Sequence, residues 1–160
     1  MDAANKVISN LKDENLVPAK PVIRHGEKVS LIKKENLRSS VEDINKKIKY
    51  LKNKGYKTFA IICKTLEECK TVFNSIKNED YNPYIITGKE KEYRTGVIVV
   101  PSYLSKGLEF DVVFISDGSK EKYTTAELDV KLLYVAMTRP LHKLYIYYNS
   151  ELSSLLEGVQ

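Results

Sequence analysis

Apolar residues fall along this chain in two alternating rhythms, and each switch between them marks a predicted element. Phe59–Cys63 (FAIIC), Val97–Val100 (VIVV) and Val112–Ser116 (VVFIS) are near-continuous apolar runs, the pattern of strands buried on both faces. Val29–Lys33 (VSLIK), Tyr84–Thr87 (YIIT) and Leu144–Tyr148 (LYIYY) read as three more strands, rich in β-branched and aromatic residues. Between the strands the spacing lengthens to three and four. Val41, Ile44, Ile48 and Leu51 then share one helical face, as do Leu66, Cys69, Phe73 and Ile76, and as do Leu128, Leu132 and Val135. Each of these helices carries a Ser/Thr-x-x-Glu sequence near its start (Ser39–Glu42, Thr65–Glu68 and Thr124–Glu127), which predicts a capping box. Gly55 follows the first where left-handed backbone closes a helix, and Pro140 ends the last. A further helix is expected over residues 2–14, with Val7 and Leu11 four apart, stopped by Pro18 and Pro21.

Strands alternating with capped helices predict an α/β domain, a mainly parallel sheet with helices on both faces. A chain of 160 residues has room for one such domain. The division expected is an N-terminal helix and linker over 1–20 and a single domain over 21–160. Lysine and arginine number 26 against 21 acidic residues, a formal charge of +5, and only Arg24, Arg38, Arg94 and Arg139 are arginines. Scattered lysine permits a polyanionic partner without gathering its charge on one face. No run approaches the roughly 20 apolar residues of a membrane helix, and Met1–Leu11 lacks the apolar stretch of a secretion signal. A cytoplasmic protein with no membrane partner is the expectation. Cys63 and Cys69, with His25 and His142 distant, match no zinc spacing, so no metal site is expected and both thiols are assigned to a reduced, buried state.

In parallel sheets ligands gather beyond the carboxyl ends of strands, which directs attention to the segments after Cys63, Thr87, Val100, Ser116 and Tyr148. One of them, between Val100 and Val112, carries Lys106, Gly107 and Glu109, a cation and an acceptor beside a glycine that lets backbone approach closely. Such a loop could hold phosphate and ribose, and read alone it is equally a solvated surface turn. Arg139 precedes a proline at the end of the last long helix, so it projects from the helix terminus. There a guanidinium also meets the partial negative charge of the last carbonyls in any protein.

Taken together the two segments say more. KGLEFDVV at 106–113 followed by LLYVAMTR at 132–139 resembles motifs V and VI of superfamily 1 helicases of the UvrD/Rep type, in wording and in order. The likeness is sharpest over 97–148. PVIRHGEKV at 21–29 and the capped helices after it are similar to the branch containing helicase IV-like and HelD RNA-polymerase-associated ATPases. The resemblance implies the second RecA-like domain of such a motor, with a three-layer fold of the P-loop NTPase type. It implies that Arg139 is an arginine finger for the γ-phosphate of ATP, and that Glu109 accepts from the ribose. Lys106 and Gly107 would shape a loop linking the nucleotide to a bound DNA strand, with Ser102 and Tyr103 beside that strand. Pro101, Tyr103 and Pro140 depart from the usual motif residues. Only nine residues, Gly88–Gly96, occupy the place where larger helicases insert a strand-separating subdomain.

ATP and Mg²⁺ binding in this class needs a G-x-x-x-x-G-K-[ST] loop and an apolar strand ending in Asp-Glu, and the sequence contains neither. The chain is therefore expected to be a fragment that supplies half an ATP site, inactive alone, to an N-terminal P-loop domain of the same protein. A nonenzymatic module holding nucleic acid or RNA polymerase stays open as the alternative. A third option is an α/β domain with its own small-ligand pocket.

Overall fold

The computed structural model describes residues 2–9, 29–90 and 94–159. Its centre is the set of apolar runs. Strands β2 (Phe59–Cys63), β4 (Val97–Pro101) and β5 (Phe110–Ile115) are buried almost throughout, because helices cover both of their faces. With β1 (Ser30–Lys33), β3 (Tyr84–Ile85) and β6 (Pro140–Tyr148) they form one six-stranded sheet in the order β1-β6-β5-β2-β4-β3, every neighbouring pair parallel. Phe59 faces Val97 on one side and Val112 on the other, which sets the register of the central strands.

Alternate side chains divide the core. Phe59, Ile61, Val97, Val99, Val112 and Phe114 pack under α2 (Leu37–Asn53) and α3 (Leu66–Ile76). Ala60, Ile62, Ile98, Val100, Val113 and Ile115 pack under α4 (Glu127–Met137) and α1 (Asp2–Ile8). The α/β class and the mainly parallel sheet expected from the sequence are what the structure has. Of the helix expected over residues 2–14 the structure describes Asp2–Ile8, with residues 10–14 outside the described residues, and Ala4, Val7 and Ile8 are buried in the same core as α4. The linker expected before residue 21 lies outside the described residues.

Local chemistry sets the helix ends, and it moves two of them. Helix α2 starts at Asn36, three residues before the predicted cap: Asn36 Oδ1 accepts from the Ser39 amide at 2.9 Å and Ser39 Oγ accepts from the Asn36 amide at 3.1 Å. Asparagine caps as well as serine does, and the earlier start brings Leu37 onto the core. Gly55, at φ +100°, closes the helix as expected, with its amide donating to Lys52 O and that of Tyr56 to Leu51 O. Thr65 caps α3 through the Glu68 amide, while the Glu68 carboxylate turns to the Lys64 amide and the Lys122 ammonium.

Helix α4 departs furthest. Ala126 precedes it without a side-chain cap, and Thr124 instead donates to Asp129 Oδ2 at 2.7 Å. Leu128, expected in the core, is 65% exposed, and the buried face is Val130, Leu133, Ala136 and Met137. Apolar residues lie on more than one side of this helix, so periodicity did not choose the face; packing into the core shared with α1 and the sheet did. Strand β3 stops at Ile85 because the Glu90 carboxylate takes the Thr87 and Gly88 amides and the Thr87 hydroxyl, drawing that segment off the sheet.

Candidate functional site at the amino edge of the sheet

Strands β4 and β5 both run parallel to β2, so the eight residues joining them must cross the whole depth of the sheet. The link leaves the carboxyl end of β4 as a 3₁₀ turn, Ser102–Leu104, and reaches the amino end of β5 after Glu109. Helix α4 makes the same return before β6, which places Arg139 directly ahead of Pro140. Pro140 pairs with Phe110, and the Phe110 amide donates to Arg139 O at 3.1 Å. Glu109 and Arg139, distant in sequence, therefore stand side by side at the amino edge. This corrects the expectation that the candidate site lies at strand carboxyl ends: a parallel connection begins at one edge and must finish at the other.

The Arg139 guanidinium is half-buried and lies along its own loop. Nε donates to Val135 O at 3.1 Å, Nη1 to Leu108 O at 3.1 Å and more distantly to Ser105 O at 3.5 Å, and Nη2 to Thr138 Oγ1 at 3.1 Å. All four acceptors are neutral, and among the described residues no carboxylate comes within salt-bridge distance of it. Burial pulls the guanidinium below its ordinary pKa, and the nearby Glu109 carboxylate opposes that shift. The charge persists, since arginine starts so high that it stays protonated in proteins.

Around Arg139 the predicted residues separate by exposure. Lys106, Gly107 and Glu109 are exposed, and Gly107 sits at φ +85°, a left-handed conformation that a side chain would strain. Tyr103 is 53% exposed, so its ring is open to a stacking partner. Ser102 is not: it is 0% exposed and its hydroxyl donates to Leu132 O in α4, which removes its side chain from the nucleic-acid contact expected of it.

Beside Glu109 the edge holds a recess of about 110 Å³, walled by Leu108, Phe110, Ile86 and Ile98, with Thr58 and Arg94 among its lining. Arg94, which sequence reasoning passed over, stacks on the Tyr84 ring at 4.8 Å. Its one signal was rarity, as one of four arginines, placed in the short Gly88–Gly96 link. His142 stands edge-on to Tyr56 and 3.9 Å from the Asp111 carboxylate. Cys63 and Cys69 are free and buried, and hydrogen bonding with Cys63, together with burial, pushes the Cys69 thiol up. Among the described residues no group of three His, Cys, Asp or Glu side chains could hold a metal ion, and no helix is long and apolar enough to cross a membrane.

The arrangement sets a cation and a carboxylate close together at one edge of the sheet. Residues 1–100 match one family model of the UvrD-like helicase C-terminal domain, and residues 96–147 match a second of the same description. The crystal structure of the C-terminal domain of a possible DNA helicase from Lactobacillus plantarum WCFS1 superposes with a TM-score of 0.76 at 27% identity, covering 100% of this chain and 92% of that one. The arterivirus nonstructural protein 10 helicase is more distant. With DNA it gives a TM-score of 0.45 at 12% identity over 90% of this chain and 30% of its own, and a second structure of it gives 0.47 at 14%, over 98% and 33%. No curated protein matches the chain.

Proposed function

Since the chain belongs to the UvrD-like helicase C-terminal domain family, we propose that its amino edge forms one wall of an ATP site in a motor that moves along DNA. The other wall, with the phosphate-cradling loop and the carboxylates for Mg²⁺, belongs to a P-loop domain of the same protein. The observation that carries this reading is the placing of Arg139 and Glu109 at one edge of the sheet, in a sequence that has no phosphate-cradling loop of its own.

In this reading the nucleotide binds across the cleft, and Arg139 exchanges its neutral carbonyl acceptors for γ-phosphate oxygens. Charged acceptors make stronger hydrogen bonds than neutral ones, so the exchange is downhill once the cleft closes and excludes water. The planar fork then meets the negative charge that develops on the transferring group. Glu109 accepts from the ribose hydroxyls, while Tyr103 stacks on a base and Lys106 meets the strand's phosphates. Closure on ATP and reopening after hydrolysis convert nucleotide affinity into movement.

In the helicase that carries this domain, Arg139→Ala is expected to cut ATP turnover about a thousandfold, with modest loss of nucleotide binding, and Arg139→Lys to restore little of it. Turnover intact in Arg139→Ala would sink the proposal. One observation favours a second reading, since the guanidinium is already occupied by its own fold. Arg139 would then be a helix-end cation in a nonenzymatic module that binds nucleic acid or RNA polymerase. That reading predicts unchanged turnover and a loss of stability alone.

A further inference from the structure

Two buried serines hold the floor on which Arg139 rests. The Ser102 hydroxyl donates to Leu132 O and so ties the start of the loop to α4. Ser102 O in turn accepts both the Ser105 amide, at 3.0 Å, and the Ser105 hydroxyl, at 2.7 Å. Ser105 O takes the Leu108 amide at 3.0 Å and, more distantly, Arg139 Nη1. Leu108 O accepts from the same nitrogen, and Arg139 Nε returns to Val135 O, back on α4. The circuit is therefore closed: α4, Ser102, Ser105, the Lys106–Gly107 turn, Arg139, α4.

Neither serine hydroxyl is left without an acceptor. Both are 0% exposed, and a buried hydroxyl is costly unless its bonds are made. Every bond made here bears on where the carbonyls of Ser105 and Leu108 point. We infer that Ser102 and Ser105 are positioning residues for Arg139, an inference that rests on the proposed role of that arginine. They act through the loop backbone and touch no substrate. Tyr103 lies in the same 3₁₀ turn, between the two serines, so a base stacked on it loads the seat of the guanidinium directly.

The test uses two measurements. In the helicase that carries this domain, Ser102→Ala and Ser105→Ala are each expected to lower kcat for ATP about ten- to a hundredfold with KM little changed, the order that follows when a catalytic group loses its orientation. The same substitutions should add nothing in an Arg139→Ala background, because groups acting as one unit are not additive. In the 160-residue chain, the Arg139 Nε–H resonance should be protected from exchange and lose that protection in Ser102→Ala. Unchanged kcat, an undiminished serine effect without Arg139, or unaltered Nε–H exchange would each overturn the positioning role while leaving Arg139 its own. Full turnover in Arg139→Ala would remove the reading beneath it, and this inference as well.

Discussion

Replacing Arg139 by alanine should destabilise the isolated chain, whatever it does to catalysis. The side chain makes three hydrogen bonds at 3.1 Å and one at 3.5 Å to groups of its own fold. A charged donor to a neutral acceptor contributes about 1.5–3 kcal/mol when buried, and partial exposure of this guanidinium reduces that to about 1 kcal/mol for each shorter bond. Freeing a long side chain returns about 1 kcal/mol of rotamer entropy. Val135 O keeps the Thr138 amide and hydroxyl, so it is not orphaned by the change. The net loss is about 2 kcal/mol, or a fall in Tm of about 4–8 °C for a domain of this size. Urea unfolding of wild type and variant, with a common m-value, measures it. Arg38→Ala is the control, since its 3.4 Å pair with Glu42 is exposed and should contribute less than about 0.5 kcal/mol. An Arg139→Ala loss no larger than that control would refute the argument, because the loop could not then be holding the guanidinium in solution.

Three further outcomes are expected. Gly118→Ala should cost about 1–3 kcal/mol in the same unfolding assay, since an added Cβ would stand 2.8 Å from Ile146 Cγ2 and 2.9 Å from Leu156 Cδ1; a neutral result would show that this corner yields freely. For Glu90, burial pushes the carboxyl up, but bonds from Thr87 and Gly88 outweigh it and bring the pKa down to about 2. A depressed folded pKa stabilises above the unfolded value near 4.5 and is lost as pH falls toward 2, so exchange of the Thr87 and Gly88 amides, measured at each pH against their intrinsic rates, should accelerate over that window. Protection that stays constant from pH 5 to 2 would contradict the cap. Lys106→Ala should reduce the slope of log affinity against log salt for single-stranded DNA by about 0.7, the share of one phosphate, and an identical slope would return Lys106 to a solvated turn.

Much of the sheet could be read from the chain because a strand buried on both faces announces itself without context. FAIIC and VIVV cannot be amphipathic helices or exposed loops, and both are central strands. Gly55 was equally plain, since a left-handed residue after a helical face has few other uses. The candidate site was legible only as wording. The motif residues could be named, but their shared edge could not, and Ser102 looked like a contact when it is a buried brace. Arg94 carried no pattern at all, because its nearness to Glu109 arises from β4 and β5 flanking β2.

By itself the sequence determined what depends on neighbours along the chain: the strand and helix periods, the glycine and proline stops, and the residue types able to meet a phosphate. Tertiary structure decided what depends on residues far apart. It turned Val130 and Leu133 inward in place of Leu128. It also carried Glu109 and Arg139 to the amino edge, since each connection between parallel strands must return across the sheet, and pairing order settles which returns finish side by side.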